Sequence, residues 1–340
     1  MSEGSGGGRT AALRGPGDVE LVRRPAPSPS ASDALVRVVS SGICATDVGI
    51  FSGSVEVAPG RVLGHEGAGV VEVAPPGSGL EPGSPVIVDP NVFCGTCEIC
   101  REGLSNLCPN GGLLGRDVDG VFADELAVAA SSLHALPDGV ALENAPLLQV
   151  LATVVHAQER VQVSPGRTAA VVGLGCTGQL HAQLLASRSA RVLGVSRSEG
   201  KRALAADLSC EWTAAPGEAP ALVVDVDPRG GADLVVEAGG TLASLETAIH
   251  LVRPGGTILA YGIYTETEGR LPYYQLYKKE IRIVGSRSSL PGDMEAAVEL
   301  VAGGAVRLAP IVSDRLPLDA VADALERSAA GALKVVLDHR

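Results

Sequence analysis

Cys94, Cys97, Cys100 and Cys108 fall in the run FCGTCEICREGLSNLC, with two, two and seven residues between them. Four thiolates so spaced can close a tetrahedral shell around zinc with no position left for a substrate, so the group is expected to brace a loop rather than to react. A disulfide pair, an iron–sulfur cluster or four buried thiols are the competing uses of the same residues. The second chemistry-bearing string is GLGCTG, which follows the apolar run TAAVV and precedes a helical stretch. In that strand–turn–helix context Gly173 allows the turn, Gly175 lets backbone approach a pyrophosphate, and Gly178 lets helix pack on strand. Amides at the helix N-terminus, those of Cys176 and Thr177 included, then face the phosphates.

The end of the next strand selects the dinucleotide. A carboxylate there accepts hydrogen bonds from the ribose 2′-hydroxyl of NAD. Here LGVSRSEGKR places Ser196 and Arg197 at that point, with Lys201 and Arg202 shortly after. A small hydroxyl and a guanidinium suit a 2′-phosphate, which a carboxylate would repel. NADP(H) is the expected cofactor.

These residues need elements to position them. A chain of 340 residues exceeds one ordinary core, so two domains are expected. Hydrophobic residues make up 46%, and no apolar run approaches a membrane span, so the chain reads as soluble, globular and independent of membranes. The start, MSEGSGGGRT, lacks the apolar core of a secretory signal and reads as a disordered tail. Cys44, Cys176 and Cys210 stand apart from the cluster, a usage that suits a reducing cytoplasm better than a disulfide framework. A net charge of −12 argues against nonspecific nucleic-acid binding.

From about Ala11 to about Ala130, short β-rich runs alternate with Gly and Pro turns, as in an irregular barrel that the cysteine lobe (91–111) interrupts. After LPDGVALENAPLL, the runs TAAVVG, ARVLGV, ADLVVEA, TILAYG and IRIVGS alternate with helical stretches, which implies a parallel sheet covered on both faces. Two more helical stretches and a strand, KVVLDH, close the chain.

With GICATD and GHEGAGVV upstream of the cysteine run and VVGLGCTG downstream, nearly the whole chain resembles the zinc-type medium-chain alcohol and polyol dehydrogenases. The resemblance implies an α/β plus β fold: a GroES-like irregular β-barrel catalytic domain (1–145 and 286–340) around an inserted Rossmann doubly wound domain (146–285). It implies a homodimer or homotetramer. It also implies a catalytic zinc held by Cys44, His65 and a third residue, with an open position that polarises an alcohol for hydride transfer to the nicotinamide. Thr46 matches the hydroxyl that passes the substrate proton onward, and Asp47 and Glu66 match carboxylates that orient the ligands. Ala238, Gly262 and Ser286 lie at strand ends where the nicotinamide half is contacted. His134 and His181 receive no role.

Two positions depart from the family. Aligning on His156 puts Gln149, a neutral and weaker zinc donor, where polyol-type relatives carry Glu. Gln149 could coordinate the ion, water or Glu66 could take its place, or the chain could hold only the structural zinc. Gly49 stands where many relatives have a histidine that extends the proton path. The leading expectation is a zinc-dependent, NADP(H)-linked enzyme interconverting a small-molecule secondary alcohol and its ketone, with a polyol, keto-sugar or aminocyclitol as substrate. A zinc-free NADPH-dependent alkene or quinone reductase and a non-catalytic nucleotide-binding protein are the alternatives. Pocket-lining side chains are expected from 50–57, 113–119 and 264–277.

Overall fold

The computed structural model describes residues 7–266 and 268–340. The chain divides into two compact units, Met1–Ala152 with Leu290–Ala302 and Ile311–Arg340, and Thr153–Ser289 with Gly303–Pro310. The first unit opens with a hairpin of β1 (Gly7–Gly15) and β2 (Asp18–Pro25), followed by β3 (Asp33–Gly42), helix α1 (Ala45–Ser52), β4 (Glu66–Val73) and β5 (Pro85–Val88). The cysteine lobe holds β6 (Asn91–Val92), the short helix α2 (Glu98–Arg101) and β7 (Gly112–Leu113), and β8 (Glu125–Ala129) and β9 (Leu133–Ala135) come after it. Helix α3 (Pro146–Glu159) precedes the alternating region: β10 (Thr168–Val172), α4 (Cys176–Ser187), β11 (Arg191–Val195), α5 (Glu199–Leu208), β12 (Trp212–Ala214) and α6 (Ala219–Val226). It continues with β13 (Ala232–Glu237), α7 (Leu242–Leu251), β14 (Val252–Ala260), α8 (Tyr273–Lys279) and β15 (Arg282–Gly285). Helix α9 (Pro291–Ala302), β16 (Asp314–Pro317), α10 (Val321–Ala329) and β17 (Val335–Asp338) end the chain.

In the first unit, β3 is the organising strand: it pairs antiparallel with β4, β8 and the C-terminal β17. The sheet order is β16-β17-β3-β4-β5-β9. Apolar residues such as Val36, Leu63, Phe122 and Leu325 fill its core, and Phe122 is fully buried. This is the GroES-like barrel.

The second unit is a Rossmann sheet of six parallel strands in the order β12-β11-β10-β13-β14-β15. All five residues of β10 are buried, because helices cover both faces and leave no polar alternation for the sequence to show. Ala170 and Val172 enter one apolar cluster with Val195 and Leu251, while Ala169 and Val171 enter the other with Leu185 and Leu259. Successive side chains of a strand point to opposite faces, so one strand serves two cores.

The structure corrects two expectations. Gly7–Thr10 are not part of a tail: they belong to β1, with Gly7 opposite Pro25 and Thr10 opposite Val22. Residues 1–6 of the expected tail lie outside the described residues. The domain boundaries also shift: residues 146–152, expected in the second domain, belong to the first unit, while 286–289 and Gly303–Pro310, expected in the first domain, belong to the second. There the Gln183 side chain accepts from Arg307 N at 2.8 Å and donates to Arg307 O at 3.2 Å, an amide-to-backbone pairing that holds the segment. Among the described residues, no helix is long and apolar enough to cross a membrane.

Candidate functional site

The cysteine lobe gathers its four sulfurs. Sγ–Sγ separations are 4.0 Å for Cys94–Cys100, 3.8 Å for Cys97–Cys108 and 3.5 Å for Cys94–Cys108. A tetrahedron with zinc–sulfur bonds of about 2.3 Å has edges of about 3.8 Å, whereas a disulfide requires about 2.05 Å. None of the seven cysteines is disulfide-bonded, so the lobe is not a disulfide pair. Backbone amides already point at the sulfurs: Cys97 N and Cys100 N donate to Cys94 Sγ at 3.4 Å and Cys97 Sγ at 3.5 Å. Amides of Thr96 and Cys97 hold the Cys94 thiol down to about 5, and burial with neighbouring thiols pushes Cys100 up to about 12. Such amide donors stabilise thiolate, the form a metal binds.

A second cluster sits where α1 begins beside β4. Ligand atoms of Cys44, His65 and Glu66 lie within 4.8 Å of one another. Cys44 caps α1, and its N–H donates at 2.8 Å to Oδ2 of Asp47, which is fully buried. The other oxygen of Asp47 lies 3.4 Å from His65 Nδ1, which leaves Nε2 of that ring for an ion. Burial opposes protonation of His65, yet the charges of Asp47 and Cys44 outweigh it and raise its pKa well above the usual histidine value. Thr46 Oγ1 is 3.9 Å from Cys44 Sγ.

Glycines make the cluster possible. Gly64 has φ +90°, and a Cβ there would run into the Phe122 ring; Gly42, paired with Glu66 across the sheet, would run into the Glu66 carboxylate. Into that space comes Lys334, 5% exposed, at the start of the C-terminal strand. Its Nζ pairs with Glu66 Oε2 and donates to Ile43 O at 3.0 Å. Among the described residues Glu66 Oε1 is buried without a hydrogen-bond donor, a chemistry that fits a cation. Gln149 is 6% exposed on α3. At Gly49 a Cβ would press on Val55 Cγ2 at 3.2 Å and Ser54 Oγ at 3.3 Å, so the absent histidine leaves a tightly filled place.

In the second unit the glycine turn has the shape its sequence implies. Gly173 has φ +96°, and a Cβ on it would lie 2.8 Å from Gly239 N; one on Gly178 would strike Gly173 O. Gly175, the cap of α4, has open space where its Cβ would be, the cradle a pyrophosphate requires. Cys176 and Thr177 are the first residues of that helix. Ser196 and the exposed Arg197 follow β11, with Lys201 and Arg202 in the first turns of α5. Ala238 N donates to Val172 O at 2.8 Å, and Gly262 N to Glu237 O at 2.9 Å, so both lie at the ends of adjacent strands. Ser286 Oγ, just past β15, is buried without a partner among the described residues.

Several organising side chains take partners that the sequence does not name. Glu237, fully buried, accepts from Gly239 N at 2.7 Å and Gly240 N at 3.0 Å, and from the Tyr264 hydroxyl. That contact and burial raise the Tyr264 pKa. Lys334 and Gln179 are likewise legible only once the fold joins distant segments. His181 contacts Gln158 at 3.1 Å and packs edge-on against Tyr261, and burial holds its pKa down to about 3. It is a neutral packing residue. His134 lies 4.0 Å from Glu295.

Comparison with known proteins names the class that this fold and these sites define. The family profile "Alcohol dehydrogenase GroES-like domain" matches residues 30–138, and "Zinc-binding dehydrogenase" matches 176–303. A 2-dehydro-3-deoxy-L-galactonate 5-dehydrogenase of Pseudoalteromonas atlantica is 32% identical over 86% of each chain, and a sorbitol dehydrogenase of Halalkalibacterium halodurans is 30% identical over 84% of this chain and 85% of that one. The crystal structure of a zinc-binding dehydrogenase from Sinorhizobium meliloti bound to NADP superposes with a TM-score of 0.91 at 29% identity, covering 98% of this chain and 100% of that one. The chain belongs to the zinc-type medium-chain alcohol and polyol dehydrogenase family. It is an oxidoreductase of the alcohol and polyol dehydrogenase type.

Proposed function

We propose that the protein interconverts a secondary alcohol and its ketone using NADP(H) and a catalytic zinc, with a polyol, sugar acid or keto-sugar as substrate. The observation that carries the reading is the convergence of Cys44 with the buried His65 and Glu66, whose ligand atoms lie within 4.8 Å of one another. Cys44 and His65 would hold the ion and Gln149 would supply a neutral third donor, since Lys334 already engages one oxygen of Glu66. Zinc bound there would act as a Lewis acid on the substrate oxygen. Asp47 fixes the His65 ring, Glu66 and Lys334 balance the charge, and Thr46 accepts and passes on the substrate proton. The four cysteines would hold a second, structural zinc. That lobe also disfavours the zinc-free reductase reading, whose members usually lack it.

NADP(H) is supported by Ser196 and Arg197 at the end of β11, where no carboxylate stands, and by the NADP-bound relative. Sugar-acid and polyol substrates are supported by the activities of the two sequence relatives. Seven cysteines outside any disulfide suit the cytoplasm. A homo-oligomer is supported by β15, an edge strand whose Ile283 is 45% exposed, and by the exposed Tyr273, Tyr274 and Tyr277 of α8.

Zinc per subunit and initial rates with NADPH and NADH, over a panel of ketones and polyols, test the proposal. Two zincs and a lower KM for NADPH are expected. One zinc per subunit overturns the catalytic-metal assignment, and equal or better use of NADH overturns the cofactor assignment.

A further inference from the structure

The four polar residues after β11 are not equivalent. Arg197 is exposed, as a guanidinium free to meet a phosphate would be. Ser196 Oγ accepts from Ser198 N at 3.2 Å, which leaves its own O–H to donate to an anion. Arg202, half-buried, turns the other way: its Nη1 donates to Ser196 O at 2.7 Å and to Arg197 O at 3.1 Å. One guanidinium nitrogen thus grips the two carbonyls that lie directly behind the groups facing the expected 2′-phosphate.

A second tie reaches the same turn from below. Gln179, the residue after Gly178, is fully buried in α4. Its Nε2 donates to Lys201 O at 2.8 Å and to Leu174 O, inside the glycine turn, at 3.3 Å. It therefore joins the pyrophosphate turn to the first turn of α5, from which Arg202 reaches back. Ser198 Oγ, accepting from Lys201 N at 3.4 Å, caps that helix and closes the circuit.

We infer that Arg202 and Gln179 are positioning residues that set the preference for a 2′-phosphorylated dinucleotide by fixing the backbone of Ser196 and Arg197, and that Arg202 is not itself a phosphate ligand. The inference rests on the NADP(H) reading. It distinguishes geometry from charge: lysine would keep the positive charge of Arg202, but its ammonium ends one bond short of the position of Nη1, on a flexible stem, and does not reach both carbonyls.

The test is calorimetric titration of the full-length protein with 2′,5′-ADP and with 5′-ADP, which read binding without turnover. The quantity of interest is the dissociation constant of 5′-ADP divided by that of 2′,5′-ADP, because general damage weakens both ligands whereas loss of positioning weakens only 2′,5′-ADP. The wild type should prefer 2′,5′-ADP, and Arg197→Ala should abolish most of that preference. A wild type with no preference refutes the NADP(H) reading itself. Arg202→Ala and Arg202→Lys should each lower the ratio by about tenfold, the worth of roughly one charge-assisted hydrogen bond, with 5′-ADP affinity held. Gln179→Leu should lower it in the same direction and by less. Given a wild-type preference, an unchanged ratio in Arg202→Ala, or a ratio restored by Arg202→Lys, overturns the positioning role of Arg202. An unchanged ratio in Gln179→Leu overturns the bridge. Melting temperatures recorded alongside identify any variant that has failed to fold, and Gln179→Leu then carries the test.

Discussion

The two donor clusters of the first unit solve opposite problems. The lobe presents four sulfurs from one stretch of 15 residues, positioned by its own amides and two very short strands. The Cys44 cluster draws on a helix cap, the start of a strand and a lysine near the C-terminus. One is locally complete and closed; the other depends on the barrel and keeps an acidic residue balanced by Lys334. A site meant only to brace the chain can be encoded locally. A site that must leave a coordination position open needs its shape held from outside.

Removing one donor from each cluster should break this contrast most severely. Cys97→Ser is expected to eject the structural zinc and lower stability, since a structural site contributes on the order of 10 kcal/mol of binding energy to folding. Cys44→Ala should leave melting within a few degrees while kcat/KM falls about a thousandfold, the loss of several kcal/mol of Lewis-acid stabilisation. Zinc analysis with thermal melting and steady-state rates reads both. Equal melting shifts in the two variants would show that the clusters do not divide structural and chemical work.

The contrast sharpens at Lys334. Its Nζ and the Glu66 carboxylate are almost wholly buried, at 4% and 1% exposure. Removing one member of such a pair strands the other, at about 3–5 kcal/mol. Lys334→Met should therefore destabilise the metal-free protein by that order in urea unfolding. Zinc should recover part of the loss by supplying the missing positive charge. The double change Glu66→Gln with Lys334→Met should regain most of it, since neither charge is then buried alone. A single variant as stable as the wild type would show that Lys334 does not balance Glu66.

How much of this could be read from the chain follows the same division between local and distant. The cysteine lobe, the glycine turn and the strands TAAVV and ADLVVE are legible because spacing within 20 residues determines them. Lys334 was not, because 268 positions separate it from Glu66 and only the pairing of β17 with β3 and β3 with β4 brings them together. The roles of Arg202 and Gln179 were hidden for another reason. A basic residue near a phosphate site reads as a ligand from its charge alone, and only the direction of its donors shows that it grips backbone instead. The strands β12 and β16, three and four residues long, carry too little apolar pattern to announce themselves.

The finest test of the comparison is Gln149→Glu, a change of one amide to one carboxylate. Gln149 is buried in the first unit, at the position proposed for the third donor. As a neutral donor it would leave the site one unit more positive, strengthening the Lewis acid but weakening the grip on the ion. The variant should therefore retain zinc better against a chelator, by about tenfold, while kcat falls modestly and the structural zinc is unaffected. The sign matters more than the size. Tighter zinc with slower turnover would show that this chain exchanges affinity for polarising power at the open site, something the closed lobe has no reason to do. Unchanged affinity would place Gln149 away from the ion and leave Glu66, with its unpartnered Oε1, as the third donor.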